Sequence, residues 1–388
     1  MAAAKAAYDV IVIGAGIEGS SSAYNLVKKG KKVLLLEQFP LPHSRGSSHG
    51  QSRIIRYAYE EDFYVKMMVD AFPLWKELEE ESGAEFYIKH GLFEMHQEDS
   101  QSLQNIAANL RAFKVQHEML TPADVKSRFP AITAGDKCGG IWDPNGGVLK
   151  ADRALAAYQT VFKRLGGTLR DGEPVTLVTP GDVVTVSTRS GQYTASSLVI
   201  AAGAWSGRFC SALGLNVPLD PLRTVVLYWK VINDGASDYA PGKFPCFIDS
   251  RTVEDCIVYG FPMQEYPGLV KACLHYGAKI DPDERDKVVG DEWIVEKVKN
   301  ILASTFKNLE STPSIKEYCI YTNTPDNHAY IDKHPKYPNI VIATGFSGHG
   351  FKIAPAVGRA VSELVLKQAP TYNMKPFQLD RFSRKASL

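Results

Sequence analysis

An α/β fold is predicted, in which a parallel-sheet domain is split along the chain and an antiparallel sheet is inserted into it. Three observations carry this expectation. Residues 10 to 37 read as strand, glycine turn, helix and strand; residues 224 to 275 carry strand-like runs with no helix between them; residues 339 to 367 return to a strand, a glycine loop and a helix.

Taken in order, Val10-Ile11-Val12-Ile13 is a buried strand and Gly14-Ala15-Gly16-Ile17-Glu18-Gly19 a tight turn. Ser20 to Lys29 then reads as a helix and Val33 to Glu37 as a second buried strand. Such a βαβ unit has a right-handed crossover and parallel strands. Phe39 to Ser52 is a loop rich in Pro, His, Ser and Gly, and helical periodicity runs from Glu60 to Glu81 with an interruption expected at Pro73. Thr121-Pro122-Ala123-Asp124 is a helix start, with Thr121 as cap and Pro122 in the first turn. Asp143-Pro144-Asn145-Gly146-Gly147 is a turn leading into a helix from Ala151 to Leu165. Short strands are expected at Val183 to Ser187 and Ser197 to Ala202, where Ala201-Ala202-Gly203 closes the run. The runs Val225 to Val231, Ile257 to Tyr259 and Val270 to Tyr276 predict the antiparallel sheet. The strand Asn339 to Ala343, the loop Gly345 to Gly350 and the helix from Phe351 to Lys367 return to the first texture.

Composition narrows the class. A chain of 388 residues suggests two or three domains at one per ~150 residues. Its 44 basic and 43 acidic side chains leave a net charge of +1, so no global field draws it to nucleic acid or an anionic membrane. No apolar stretch approaches the ~18 residues of a spanning helix. Cys138, Cys210, Cys246, Cys256, Cys273 and Cys319 are scattered and form no C-x-x-C, which predicts free thiols. No histidine pair has metal-ligand spacing, and no metal is expected.

Gly14-x-Gly16-x-x-Gly19 between a strand and a helix, with Glu37 ending the next strand, is the fingerprint of dinucleotide binding. Glycines allow the turn, the approach of backbone to pyrophosphate and close helix packing; Glu37 would bind ribose hydroxyls and repel a 2′-phosphate. NAD and FAD both remain open on these residues. Arg53 and Arg56 flank Ile54-Ile55, and Lys352 opens the last helix, where a cation is unfavourable unless an anion answers it. Lys271, between Val270 and Ala272, reads as a paired or snorkelling lysine or as a functional one. Cys319, alone, reads as a small buried hydrophobe.

Together the run Gly14 to Glu37, the segment Gly46-Ser47-Ser48-His49-Gly50-Gln51-Ser52-Arg53-Ile54-Ile55-Arg56, then Tyr259-Gly260-Phe261-Pro262, Cys319 with Tyr321 to Asp326, and Gly345 to Lys352 resemble the monomeric sarcosine oxidase family. The resemblance spans nearly the whole chain and lies nearest the peroxisomal sarcosine and L-pipecolate oxidases. It implies a discontinuous Rossmann-like FAD-binding domain (1–85, 145–222 and 325–388) with an inserted antiparallel-sheet substrate domain (86–144 and 223–324). It implies oxidation of a secondary-amine amino acid, sarcosine, L-pipecolate or L-proline, to an imine, with O2 reduced to hydrogen peroxide.

The resemblance also implies roles. FAD is bound covalently through Cys319, with Gly14, Gly16, Gly19, Glu37, Gly203, Gly348 and His349 around it. Arg56 and Lys352 hold the substrate carboxylate, Lys271 promotes the oxygen reaction, Tyr259 and His275 line the substrate pocket, and Arg53 lies close to the flavin. The expected partners are a small amino acid and O2, with no nucleic acid and no membrane; the chain is expected to be a monomer. A peroxisomal location and an import receptor are implied as well, although Ala386-Ser387-Leu388 lacks the basic middle residue of the usual tripeptide. Two rivals share parts of this pattern. An NAD-dependent dehydrogenase of a small carboxylate would use the same first turn without Cys319, and a non-catalytic flavin-binding or electron-transfer protein would be coloured but not bleached by any amino acid.

Overall fold

A computed structural model of the chain describes residues 6–97, 99–251, 257–287 and 290–382. Tyr8–Ile13 is a strand whose last four residues are all buried, as a parallel strand covered on both faces requires. Val10 and Val12 join one apolar core while Ile11 and Ile13 join another on the opposite face. This strand pairs in parallel with Val33–Leu36 on one side and with Gln192–Ile200 on the other. Ile340–Thr344 pairs in parallel with Gln192–Ile200, so the C-terminal unit completes the sheet begun at the N-terminus. The sheet has eight strands, all drawn from residues 8–36, 168–200 and 330–344.

Helices Ile17–Lys28 and Gly350–Val365 cross closely on one face. Ser21 and Gly358 form the contact, since a Cβ at Gly358 would overlap the Ser21 side chain, and Ser21 Oγ donates to Ala354 O at 2.8 Å. The first helix begins three residues before the expected Ser20, because the turn is already helical from Ile17. The helix Asp62–Ser82 runs through Pro73 without a break. Pro73 lies on the exposed face, where the carbonyl it leaves unpaired meets water, while Ala71, Trp75 and Leu78 anchor the buried face. Thr121 caps Pro122–Arg128 as expected, in a capping box with Asp124.

The second sheet has nine strands drawn from residues 92–143 and 220–323. Most of its pairings are antiparallel, but Cys246–Asp249 runs parallel to Leu92–Gln97, which corrects the purely antiparallel expectation. Parallel pairing requires a long crossover, and here the chain between the two strands supplies it. The sheet's spine is Asp220–Val231 against Leu309–Asn323, with Thr224 opposite Cys319. A third, small sheet joins Ser52–Ile55, Tyr87–Lys89 and Gly147–Lys150. Ser52–Ile55 thus lies between the two large sheets in sequence and carries residues of the site. The described helices include none long and apolar enough to cross a membrane. Ala386-Ser387-Leu388 and Cys256 lie outside the described residues.

Candidate active site

A cavity of about 680 Å³ opens where the two glycine turns meet, within the range of small-molecule and cofactor sites. Gly14, Gly16, Glu37, Gly203, Gly348 and Arg53 line it. Gly14 has φ of 98°, and a Cβ there would stand 2.5 Å from Ala201 O, so only glycine fits. Gly19 acts one layer below: a Cβ on it would overlap Gly14 O, so its absence lets the helix seat under the turn. Glu37 accepts from Ala15 N–H at 2.9 Å and from Phe39 N–H at 3.1 Å, which fixes its carboxylate at the edge of the cavity. Gly348, with φ of 80°, packs against His275 and Tyr321.

These features fit a dinucleotide. Backbone approaches the cavity at each glycine, and two cavity-lining groups, the Glu18 carboxyl and Thr322 Oγ1, are buried without a partner in the described structure. His349 Nδ1, beside Gly348 but not part of the cavity lining, is also buried without a partner among the described residues.

Arg53 lies on the cavity wall and donates to three backbone oxygens, those of Ser47 at 2.9 Å, His49 at 2.5 Å and Ser52 at 2.7 Å. Its Nη2 is 3.7 Å from Cys319 Sγ. Cys319 is buried, and its neighbours Glu317, Tyr318, Ile320 and Tyr321 line the cavity.

Arg56 and Lys352 come together over one ring. Arg56 Cζ is 4.3 Å and Lys352 Nζ 5.9 Å from the centroid of Tyr59. Arg56 is also ion-paired with the buried Glu94, a residue the sequence reading did not single out. His96 Nε2 lies 3.2 Å from the other Glu94 oxygen. Burial pushes the Glu94 carboxyl up, but Arg56 and His96 outweigh it and hold it at about 2. Lys352 makes no ion pair among the described residues; burial and then the Arg56 and Arg53 charges push it down to about 7. His275 sits with Nδ1 3.2 Å from Tyr321 Oη, its ring 6.1 Å from those of Tyr259 and His349. Burial first, then Lys352 and Arg56, lower it to about 3, and His349 is lowered for similar reasons. Both imidazoles are therefore neutral near pH 7. Burial raises the Tyr259 phenol well above its ordinary range.

Lys271 stands apart from Arg56 and Lys352. Its Nζ donates to Ser52 Oγ at 2.9 Å and to Glu265 Oε1 at 3.2 Å, and it lies 5.2 Å from the centroid of Phe261. Glu265 also accepts from Ser52 and Tyr228 hydroxyls, and these bonds with Lys271 outweigh burial to hold its carboxyl low. Glu265 was missed because its turn, Pro262 to Gly268, has no periodic signal; Glu94 left one, an acid inside the apolar run Leu92-Phe93-Glu94-Met95. Such an acid in a buried strand calls for a cation.

The cavity, the two glycine turns and the flanking sheet form a dinucleotide-type site, and the comparisons with known proteins identify it as that of an FAD-dependent oxidoreductase. The model of the FAD dependent oxidoreductase family (DAO) matches residues 9–364, and the chain belongs to that family. It is similar to the peroxisomal sarcosine oxidase of Homo sapiens, with 46% identity over 98% of each chain. It is similar to that of Mus musculus, with 47% identity over 99% of this chain and 98% of the relative. Among solved structures, the L-proline dehydrogenase of P.horikoshii superposes with a TM-score of 0.84 at 24% identity, covering 98% of this chain and 99% of that one. FAD therefore replaces NAD as the dinucleotide of the glycine turn.

Proposed function

We propose that this flavin-dependent amino acid oxidase oxidises the C–N bond of a small secondary-amine amino acid, with sarcosine first among the substrates and L-pipecolate and L-proline as the cyclic candidates. The observation that carries the reading is the pair of cations, Arg56 and Lys352, gathered over Tyr59 next to the glycine loop of the cavity. A carboxylate placed there meets two charge-assisted donors, and the neutral His275 and Tyr259 bound the space for the rest of a small molecule. Bound in the cavity lined by Gly14, Gly16 and Glu37, FAD would supply the two-electron acceptor between the C–H beside nitrogen and O2, with hydrogen peroxide as the second product. The substrate loses one hydrogen from carbon and one from nitrogen, so the imine and the peroxide balance. An acyclic imine then hydrolyses to amine and aldehyde; a cyclic one persists.

Cys319, beside Arg53, is the tether in this reading, and Lys271 is the cation on the oxygen side. The names of the human and mouse relatives support a peroxisomal location and import by a receptor that reads the C-terminal Ala386-Ser387-Leu388. Import of a fluorescent protein bearing this terminus tests that part. The chain acts as a monomer in this reading, with the amino acid and O2 as its small-molecule partners.

An anaerobic bleaching screen decides the substrate class. Sarcosine, L-pipecolate and L-proline should reduce the flavin of the purified protein, and their primary-amine counterparts should do so far more slowly. Bleaching by none of the amino acids would leave a flavin-binding protein without this activity. Acid-precipitated protein should stay yellow, and a Cys319→Ala pellet should be colourless; a colourless wild-type pellet removes the covalent bond.

A further inference from the structure

The glycine turn carries an acid that the turn itself does not use. Glu18, the second residue of helix Ile17–Lys28, is 8% exposed, and neither of its carboxyl oxygens has a partner among the described residues. It lines the cavity. Its Oε1 lies 2.6 Å from where a Cβ on Gly350 would stand, at the start of helix Gly350–Val365. Neither helix is capped by the side chain of its N-cap residue, although Ile17 N–H donates to Ser48 Oγ at 2.9 Å, so two helix N-termini and one unpaired carboxyl converge on the same wall.

An ionised carboxylate buried without a cation is strongly disfavoured, whereas the neutral acid needs only an acceptor for its O–H. The charged and titratable groups on the surrounding elements do not bond to it. Glu37 accepts from Ala15 and lies 3.4 Å from His43, and Arg53 is spent on three carbonyls. Lys352 faces Arg56 across Tyr59; Tyr158 and Asp152 belong to the neighbouring helix Ala151–Arg164. Gly350 leaves the acid room, and the cavity is where an acceptor would come from.

We infer that Glu18 is a cofactor-binding residue of this chain, which meets FAD as a neutral carboxyl group and donates a hydrogen bond to one of its oxygens. The inference rests on FAD as the family's cofactor and not on the substrate. Burial alone pushes the Glu18 carboxyl well above its ordinary range, in the direction the role needs. An ionised Glu18 would instead set a negative charge against a diphosphate in the same cavity. The bound form keeps its proton, so FAD affinity falls as pH rises through the range where Glu18 of the apoprotein ionises.

The test uses full-length apoprotein from flavin-starved cells, titrated with FAD by quenching of flavin fluorescence before a covalent bond can form. Wild type, Glu18→Gln and Glu18→Leu are compared from about pH 6 to about pH 9, and the thermal stability of each apoprotein is measured. Glu18→Gln keeps a donor of the same shape and should bind as wild type does at the low end of the range, without the loss at the high end. Glu18→Leu should bind about 10- to 100-fold more weakly throughout, as loss of a bond to a charged acceptor predicts. Its apoprotein should be no less stable than wild type, since an unpaired buried carboxyl has been removed; a merely structural role would lower stability and binding together. Glu18→Leu binding as tightly as wild type, or Glu18→Gln as weakly as Glu18→Leu, overturns the inference. Should Glu18→Leu fail to fold, identical pH profiles for wild type and Glu18→Gln overturn it as well. Failure of wild type to bind FAD at all would instead strike the cofactor assignment.

Discussion

The wall made by Gly14, Gly203 and Gly348 presents backbone to the cavity, whereas a second wall made by Arg56, Lys271 and Lys352, outside the cavity's own lining, presents charge. The first is assembled from short turns that each fold locally. The second depends on partners far away in the chain: Arg56 meets Glu94 across 38 residues, and Lys271 meets Ser52 across 219. Within the charged wall the cations differ again. Arg56 and Lys271 each have a buried acid, while Lys352 has none and is pushed down to about 7. The unpaired Lys352 can be switched by pH or by a ligand's carboxylate.

The largest expected effect is at Lys271. Two unit charges ~4 Å apart at an effective dielectric of ~20 interact by about 4 kcal/mol, which bounds the help a cation gives to a nascent oxygen anion. Glu265 offsets part of that field, so Lys271→Met should slow aerobic flavin reoxidation by about 10²- to 10³-fold and leave anaerobic reduction within about tenfold under stopped flow. Reduction collapsing while reoxidation is untouched would move Lys271 to the substrate side and break the division drawn above.

Glu94→Gln tests the other paired cation through stability. A folded value near 2 against about 4.3 in the unfolded chain corresponds to about 3 kcal/mol at neutral pH. Because the folded value is depressed, this contribution is complete above the unfolded value and is lost as pH falls from about 4.3 towards 2. Urea titrations should therefore show the gap between wild type and Glu94→Gln closing as the solution is acidified through that window. A gap independent of pH would mean that shape, not charge, is what the variant disturbs.

Lys352 sharpens the contrast between paired and unpaired. With a value of about 7 in the free protein, it must be protonated to receive a carboxylate, so binding of a small carboxylate inhibitor should weaken as pH rises above 7. Lys352→Met should abolish that dependence and, below pH 7, cost roughly 10- to 150-fold in affinity. Equal inhibitor binding by variant and wild type would assign the carboxylate to Arg56 alone. The smallest effect is a control remote from both walls: Thr121→Ala removes the capping box of helix Pro122–Arg128 and should cost about 1 kcal/mol without altering flavin reduction or reoxidation.

The same division explains how much could be read from residue order. Gly14, Gly16, Gly19 and Glu37 were legible because a turn that needs φ of 98° and a close backbone approach admits glycine alone, and the spacing follows from the helix that must seat beneath it. The Thr121 cap was legible for the same local reason. Pro73 misled, because a proline on the exposed face of a well-anchored helix leaves its carbonyl to water instead of ending the helix. The cations Arg53, Arg56, Lys271 and Lys352 were identified, but not the acids beside two of them: Glu265 lies six residues from Lys271 in a turn without a periodic signal, and Glu94 meets Arg56 from 38 residues away in the chain. The parallel pairing of Cys246–Asp249 with Leu92–Gln97 was hidden by distance along the chain.

Ser52–Ile55 is only four residues long, yet its alternation sends Ser52 to Lys271 and Glu265 and its neighbour Arg53 to the cavity and Cys319. Successive side chains of a strand point to opposite faces, so sliding this segment by a single position would exchange the two attachments at once. The strand is in effect a ruler with two marks, and it couples the Lys271–Glu265 pair to Arg53 and Cys319. An insertion or deletion between Gly50 and Arg56 cannot be absorbed as a loop change would be. Attempts to graft this lysine site onto a related scaffold should therefore carry the strand, Glu265 and Tyr228 as one block.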